Sequence, residues 1–109
     1  MVTIKEKITM KEYQQFARYS CLRQCWDLNY LALGLCGEAG EVADKLKKCI
    51  REEDTADQDV IKELGDVLWY LTNMATYLGY DLSEVAEMNK EKLVSRARRG
   101  VIQGKGDDR

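Results

Sequence analysis

The chain of 109 residues contains no proline, which favours long uninterrupted helices. Apolar residues recur at helical spacing over several long segments, and no strand-like alternation extends beyond a few residues. The sequence therefore predicts an all-α fold, a four-to-five-helix bundle forming a single domain over residues 1–109.

Capping signals and polar breaks divide the chain into four predicted helices. Thr9 and Glu12 form a capping-box pair before the first helix, and Asp81 and Glu84 form a similar pair before the fourth. Asn29 is the candidate N-cap of the second helix. The predicted helices cover about 10–24, 30–51, 58–78 and 82–98, with a polar turn at 52–57 and a flexible Gly-rich tail from about residue 100.

Composition argues against several kinds of function. The net charge of −2 gives no electrostatic footprint for DNA or RNA. The chain has no histidine, which removes the usual zinc ligand and the usual general base. No apolar run approaches the roughly 18 residues of a membrane span, and the charged start has no secretory signal, so we expect a cytoplasmic protein without a membrane partner. The four cysteines form no Cys-x-x-Cys motif and are expected to be buried free thiols.

Two pairs of acidic residues lie on the borders of predicted apolar helix faces. Glu38 and Glu41 are three residues apart in the second helix, and Glu63 and Asp66 are three apart in the third. Residues three apart share one face of a helix. Four carboxylates in a small space repel one another, and oxygen ligands of this kind suit Mg²⁺, Mn²⁺ or Ca²⁺. The pattern predicts a metal site between two helices.

Basic and polar residues accompany these acids. Lys45 and Lys48 continue the face of the first acidic pair, and Asn89, Lys92 and Arg96 form a polar face on the fourth helix. Such cations can contact phosphate groups, but acids and bases on neighbouring helices can instead form ordinary salt bridges. The residues alone leave both interpretations open.

Small and aromatic residues add two further expectations. Gly34, Gly37 and Gly40 all fall inside the second helix, where each costs about 1 kcal/mol relative to alanine. They indicate either close helix packing or room for a ligand beside the acids. Trp69 lies opposite the main apolar face of the third helix and predicts a subunit interface.

The acidic motifs resemble those of a known family. The segment Gly34–Val42, Gly-Leu-Cys-Gly-Glu-Ala-Gly-Glu-Val, and the segment Glu63–Val67, Glu-Leu-Gly-Asp-Val, are similar to the all-α nucleotide pyrophosphohydrolases of the MazG-like superfamily. The signature of that family is Glu-x-x-Glu, a spacer and Glu-x-x-Asp. The segment 89–96 resembles its Asn-x-x-Lys-Leu-x-x-Arg motif, and the tail resembles the Gly-rich ending of its short single-domain members. One departure is Gly37, where some members carry an additional glutamate.

This resemblance implies a Mg²⁺-dependent enzyme, with Mn²⁺ able to substitute. The implied reaction is hydrolysis of (deoxy)nucleoside triphosphates between the α and β phosphates, giving monophosphate and pyrophosphate for nucleotide-pool control. Relatives assemble from helical bundles, so a homodimer or homotetramer is expected.

The resemblance also implies roles for individual residues. The metal-binding and catalytic residues would be Glu38, Glu41, Glu63 and Asp66, with Glu41 a candidate base for the attacking water. The candidate substrate-binding residues are Lys45, Lys48, Asn89, Lys92, Arg96 and Tyr70. Tyr70 and Trp26 are candidates to stack on the base. Two alternatives stay open: a phosphoribosyl-ATP pyrophosphohydrolase, and a non-catalytic helical interaction module.

Overall fold

The computed structural model of the chain describes residues 6–52 and 57–101. Four α-helices and one short 3₁₀ turn account for the regular structure of these residues, and no strand occurs among them. The elements are α1 (Met10–Ser20), the 3₁₀ turn (Arg23–Cys25), α2 (Leu28–Glu52), α3 (Asp57–Tyr77) and α4 (Leu82–Arg99). The all-α prediction is confirmed. Most of the predicted polar turn at 52–57 and the tail from residue 102 onward lie outside the described residues.

The predicted starts of α1 and α4 are both present. The hydroxyl of Thr9 accepts a hydrogen bond from the backbone N–H of Glu12 at 3.1 Å. The carboxylate of Glu84 accepts one from the backbone N–H of Asp81 at 3.0 Å. Each bond satisfies an N–H group that a helix start would otherwise leave without a partner.

Two helix boundaries differ from the prediction. The first helix ends at Ser20 instead of near residue 24, because Cys21 takes an extended backbone conformation and the chain then forms the 3₁₀ turn. The second begins at Leu28, and its cap is Asp27, whose carboxylate accepts from the backbone N–H of Tyr30 at 2.9 Å. The prediction of Asn29 as this cap is therefore wrong, because Asn29 already lies inside the helix.

The core lies where α1 crosses α3, near the start of α2. The helices α2 and α3 share the most extensive interface, whereas α4 packs against α1 and α3 over smaller areas. Among the described residues, few apolar side chains are buried: Ala17, Cys21, Leu31, Ala75 and Leu82. The position of this core leaves the distant half of the α2–α3 pair without a cover from α1 or α4.

The side-chain amide of Gln14 joins three parts of the bundle. Its nitrogen donates to the hydroxyl of Thr76 at 2.8 Å and to the carbonyl of Tyr80 at 2.9 Å. Its oxygen accepts from the backbone N–H of Leu82 at 2.7 Å. A second polar link joins α1 to α3, since the amide of the buried Asn73 donates to the carbonyl of Ala17 at 3.1 Å.

Apolar side chains are exposed on the distant half of the α2–α3 pair. The exposed fractions are 48% for Leu46, 82% for Ile50, 63% for Ile61 and 46% for Leu64. The radius of gyration is 16.6 Å, compared with about 13 Å for a compact domain of this length. The apolar faces predicted for these helices are therefore only partly covered within one chain.

The cysteines depart from the expectation of buried free thiols. Cys21 and Cys25 form a disulfide across the turn that follows α1, where their Cα atoms lie 6.0 Å apart. Cys36 is exposed and Cys49 is half-buried, and both are free. The prediction treated residues 21 and 25 as one helical face, whereas the end of α1 at Ser20 turns their side chains toward each other.

Within the described ranges, no helix has both the length and the hydropathy needed to cross a bilayer.

Candidate metal and nucleotide site

Three of the four predicted acidic residues meet between α2 and α3. Glu38 from α2 and Glu63 and Asp66 from α3 each offer a carboxylate oxygen, and these oxygens all lie within 4.8 Å of one another. Glu38 and Glu63 are half-buried, and Asp66 is exposed. We call these three residues the acidic cluster. Its all-oxygen ligand set matches what Mg²⁺, Mn²⁺ and Ca²⁺ prefer.

The direction of the two helices explains how the acidic cluster forms. Glu38 meets Glu63 and Asp66, while Gly34, one turn earlier on α2, lies against Tyr70, one turn later on α3. The two helices are therefore antiparallel. Because Glu63 and Asp66 are three residues apart in α3, both lie on the face of that helix that Glu38 approaches.

Glu41 lies outside the acidic cluster, although its charge reaches Glu38 and contributes to raising the pKa of that carboxyl. It is one turn further along α2 and is exposed. The structure thus brings three of the four acids together and leaves the fourth at the edge, where its oxygens are accessible to water.

The acidic cluster carries unfavourable electrostatics in the absence of a cation. The pKa of Glu38 is raised above its ordinary value, first by burial and then by the charge of Asp66, with a hydrogen bond and the charge of Glu63 adding to these. Holding three carboxylates together costs free energy because like charges repel. A bound divalent cation would remove that cost, so the residues fit a metal.

Aromatic residues border the acidic cluster. Burial, the neighbouring Tyr30, and the charges of Glu38 and Asp66 raise the pKa of the Tyr70 hydroxyl. On α1, burial and the charge of Asp66 raise the pKa of Tyr13. Tyr13 and Tyr30 were missed by the sequence reasoning. Tyr30 lies one turn before Gly34 on α2 and was recoverable from spacing, whereas the approach of Tyr13 depends on how α1 packs.

The three glycines of α2 have different surroundings. A Cβ at Gly34 would collide with the ring of Tyr70, so this position allows close packing between α2 and α3. A Cβ at Gly37 or Gly40 would meet no atom within 4 Å. Of the two expectations, close packing holds at Gly34, and open space beside the acids holds at the other two positions.

Of the two predicted cations of α2, Lys48 pairs with an acid of its own helix. Lys48 forms a salt bridge with Asp44 of the same helix at 3.2 Å. The hydrogen bond from Lys48 is the largest cause of the lowered pKa of Asp44. Lys45 is half-buried on the same helix. Lys48 is therefore paired locally in this structure.

Two of the predicted polar residues of α4 line a cavity that the acidic residues do not line. Asn89 and Lys92 line a cavity of about 500 Å³ together with Tyr80, Val85 and Met88, and none of the four acidic residues lines it. Arg96 is buried, with 3% of its surface exposed. The predicted polar face of α4 is not uniformly exposed to solvent, because α4 packs on α1 and α3: Asn89 is exposed, Lys92 is half-buried and Arg96 is buried.

Trp69 faces the bundle and not an outer surface. Its indole N–H donates to the hydroxyl of Ser20 at 2.8 Å, and its ring meets that of Tyr70 edge-on at 5.0 Å. The expected outer position of Trp69 is wrong, because the end of α1 packs on this side of α3, and a subunit interface at this residue stays a prediction. The other tryptophan, Trp26, packs between the guanidinium of Arg18 at 3.8 Å and the ring of Tyr77 at 5.3 Å.

Comparison with known proteins agrees with this geometry. The family model of the MazG nucleotide pyrophosphohydrolase domain matches residues 27–101, a range that contains all four acidic residues. The chain belongs to the MazG nucleotide pyrophosphohydrolase family. A curated relative is the Gene 37 protein of Mycobacterium phage L5, which is 48% identical over 87 residues, covering 75% of this chain and 76% of that protein. No solved structure matches the chain.

Membership of the MazG family supports nucleotide pyrophosphohydrolase activity in the broad sense. The family is generally dependent on divalent metal, and the acidic cluster is a candidate site for such an ion.

Proposed function

We propose that this MazG-family chain is a single-domain, Mg²⁺-dependent enzyme that hydrolyses (deoxy)nucleoside triphosphates between the α and β phosphates. The products would be a nucleoside monophosphate and pyrophosphate. The observation that carries the proposal is the convergence of Glu38, Glu63 and Asp66 within 4.8 Å in a chain of this family. Mn²⁺ should substitute for Mg²⁺, because both accept the same oxygen ligands.

Individual residues of the chain would have different roles in this reaction. Glu38, Glu63 and Asp66 hold the metal, which when bound neutralises phosphate oxygens and lowers the pKa of bound water. We assign to Glu41, whose exposure at the edge of the acidic cluster makes it accessible to water, the role of accepting the proton of the attacking water. Lys45 lies on the same helix as Glu41 and would contact the phosphates. Positioning and charge neutralisation dominate phosphoryl transfer, so few other groups are needed.

Product analysis tests the reaction directly. The purified protein is incubated with Mg²⁺ and a panel of ribo- and deoxynucleoside triphosphates, and with phosphoribosyl-ATP in a parallel arm. Monophosphate plus pyrophosphate, lost on adding EDTA, is the expected result. Diphosphate plus phosphate would mean cleavage at the γ phosphate and would contradict the proposal. If only phosphoribosyl-ATP is hydrolysed, the proposal is wrong and the enzyme is a phosphoribosyl-ATP pyrophosphohydrolase.

Matched variants connect the reaction to the acidic cluster. Glu63→Gln should abolish turnover while the helical circular dichroism stays unchanged, because the substitution removes a ligand charge without changing side-chain size. Glu87→Gln is the control, since Glu87 is exposed on α4 and outside the cluster. Mg²⁺ should also raise the melting temperature of the wild type but not of Glu63→Gln, because a ligand that binds only the folded state stabilises it. An unchanged melting temperature in the wild type would favour a non-catalytic bundle.

We further propose that the chain acts as a homodimer or homotetramer. Leu46, Ile50, Ile61 and Leu64 expose a row of apolar surface of the kind that marks protein interfaces. A second copy packed on the α2–α3 face would cover this apolar row.

Solution mass under native conditions tests the assembly. The wild type should sediment as a dimer or tetramer, and the double variant Ile50→Glu/Ile61→Glu should dissociate it, because charges would replace apolar contacts. Tyr19→Lys is the control, since Tyr19 is equally exposed but lies on α1, at the other end of the bundle. A monomeric wild type would refute the assembly and leave the proposed reaction untouched.

A further inference from the structure

A small cavity lies beside the acidic cluster. Its volume is about 250 Å³, and three aromatic residues line it, Tyr30, Trp69 and Tyr70. The other lining residues are Ser20, Leu22, Cys25 and the exposed Gln24. We call this cavity the aromatic corner. It is distinct from the cavities lined by α4 residues and from the groove beside Lys11 and Arg18.

The walls of the aromatic corner are held in place. The indole N–H of Trp69 donates to Ser20 at 2.8 Å, and the hydroxyl of Ser20 donates in turn to the carbonyl of Ala17 at 3.1 Å. The rings of Trp69 and Tyr70 are nearly perpendicular, with an angle of 87° and centroids 5.0 Å apart. A planar group that stacks on one of these rings therefore meets the other with its edge.

Tyr70 lines the aromatic corner and also lies near Glu38 and Asp66 of the acidic cluster. This residue lies four positions after Asp66 on α3, a distance of about 6 Å along the helix axis. Across from it, Gly34 lies four positions before Glu38 on α2. A nucleotide whose phosphates bind a metal ion held by the acidic cluster would place its base at the aromatic rings if its sugar lies along Tyr70.

We propose that the aromatic corner binds the nucleobase of the nucleotide whose phosphates lie at the acidic cluster. This inference rests on the proposed function, because it takes the substrate to be a nucleotide bound by its phosphates. Pockets for whole drug-sized ligands usually measure about 300–1,000 Å³, so a cavity of 250 Å³ is suited to a planar heterocycle and not to a complete nucleotide.

The chemistry of the cavity fits a base. Every nucleobase has a π face that stacks on aromatic side chains, so Trp69 and Tyr70 provide affinity without a strong preference for one base. The side-chain amide of Gln24 has one acceptor oxygen and two donor hydrogens, which can pair with the polar edge of a base. Stacking therefore supplies the affinity, and Gln24 is the specificity-determining residue.

Binding of products tests the inference without needing turnover. The full chain is titrated calorimetrically with AMP, CMP, GMP and dTMP in the presence of Mg²⁺, and with ribose 5-phosphate as the probe that lacks a base. Loss of one base–aromatic contact weakens binding by about 5- to 150-fold in other proteins. We expect the best monophosphate to bind more tightly than ribose 5-phosphate by a factor in this range. Equal affinities for all five probes would overturn the inference.

Three variants locate the base. Trp69→Leu should weaken monophosphate binding by about 5- to 150-fold and leave ribose 5-phosphate binding unchanged, because only stacking is lost. Trp69→Phe keeps a ring and should restore most of the affinity, while Gln24→Ala should change the rank order of the four bases. Tyr19→Leu is the control, since Tyr19 is an exposed aromatic residue of α1 that does not line the cavity. If all three variants bind within twofold of the wild type, the base lies elsewhere.

These readouts separate the inference from the proposed function. Base-dependent binding that is sensitive to Trp69 supports the aromatic corner, even if triphosphates are not cleaved to monophosphate and pyrophosphate. Conversely, cleavage that is lost in Glu63→Gln, together with unchanged nucleotide binding in Trp69→Leu and Gln24→Ala, would retain the reaction and reject the aromatic corner. Gln24 is exposed in a turn, so its alanine variant gives a result even where a substitution at Trp69 disturbs folding.

Discussion

The contact between Gly34 and Tyr70 leads to a stability prediction for which another glycine of α2 provides the control substitution. In Gly34→Ala, the new methyl group would overlap three atoms of the Tyr70 ring, two of them at only 2.5 Å. Carbon atoms in favourable contact lie about 3.5–4.0 Å apart, so the ring or the helix must move by about 1 Å or more. Tyr70 also meets Trp69, which limits the directions in which it can move.

Two opposing terms determine the size of the effect. Replacing glycine by alanine inside a helix stabilises by about 1 kcal/mol, because alanine loses less backbone entropy. Overpacking of this kind costs about 1–3 kcal/mol. The net change in the free energy of unfolding for Gly34→Ala is therefore expected to lie between about zero and 2 kcal/mol of destabilisation.

The same helix contains the matched control. Gly37→Ala adds the same methyl group where no atom lies within 4 Å, so only the favourable helix term remains, and the variant should be more stable than the wild type. The difference between the two variants isolates the overlap at about 1–3 kcal/mol. Urea unfolding followed by circular dichroism, at one protein concentration, measures both. Equal stabilisation by the two substitutions would refute the packing of Tyr70 against Gly34.

Three further predictions follow from other contacts. Mg²⁺ affinity should fall as pH decreases through the raised pKa of Glu38, because protons compete with the metal, and calorimetry at several pH values measures this. The metal-free protein should lose stability as pH rises above about 4.5, because the folded state then carries the disfavoured charge of Glu38; in pH-dependent unfolding, Glu38→Gln should lack this loss. Gly79→Ala should destabilise by about 1–2 kcal/mol because Gly79 has a φ of 86°, whereas Gly65→Ala should stabilise in thermal melts; equal melting temperatures would contradict this. Gln14→Leu removes three hydrogen bonds and should lower the unfolding free energy by about 1.5–4 kcal/mol, while a change below about 0.5 kcal/mol would show that the amide does not join the helices.

Local patterns were sufficient to predict the elements and the acidic cluster. Helical periodicity and the caps at Thr9 and Asp81 gave the existence and type of all four helices. The spacing of Glu63 and Asp66 on one face, combined with the antiparallel direction of α2 and α3, is enough to bring them to Glu38. These features depend on neighbouring residues or on one helix–helix contact, so a sequence can reveal them.

Features that depend on several helices were not predictable in the same way. The approach of Tyr13 to Asp66 requires the packing angle of α1, which periodicity does not contain. Trp69 was placed opposite the main apolar face, yet α1 covers that side as well. Leu46 and Leu64 fall on predicted apolar faces but are exposed in the single chain, because periodicity marks an apolar face without identifying what covers it.

The unequal packing of the four helices has a consequence for opening motions. The α2–α3 pair shares the largest interface, whereas α1 packs on α3 and α4 over smaller areas, with added polar links from Gln14 and between Trp69 and Ser20. Regions attached by few contacts exchange their amide hydrogens through partial opening, at a lower free energy than global unfolding. The amides of α1 should therefore exchange before those of the α2–α3 pair. Since Ser20 leaves with α1, each such opening also releases the wall of the aromatic corner, and a bound base should slow hydrogen exchange in α1.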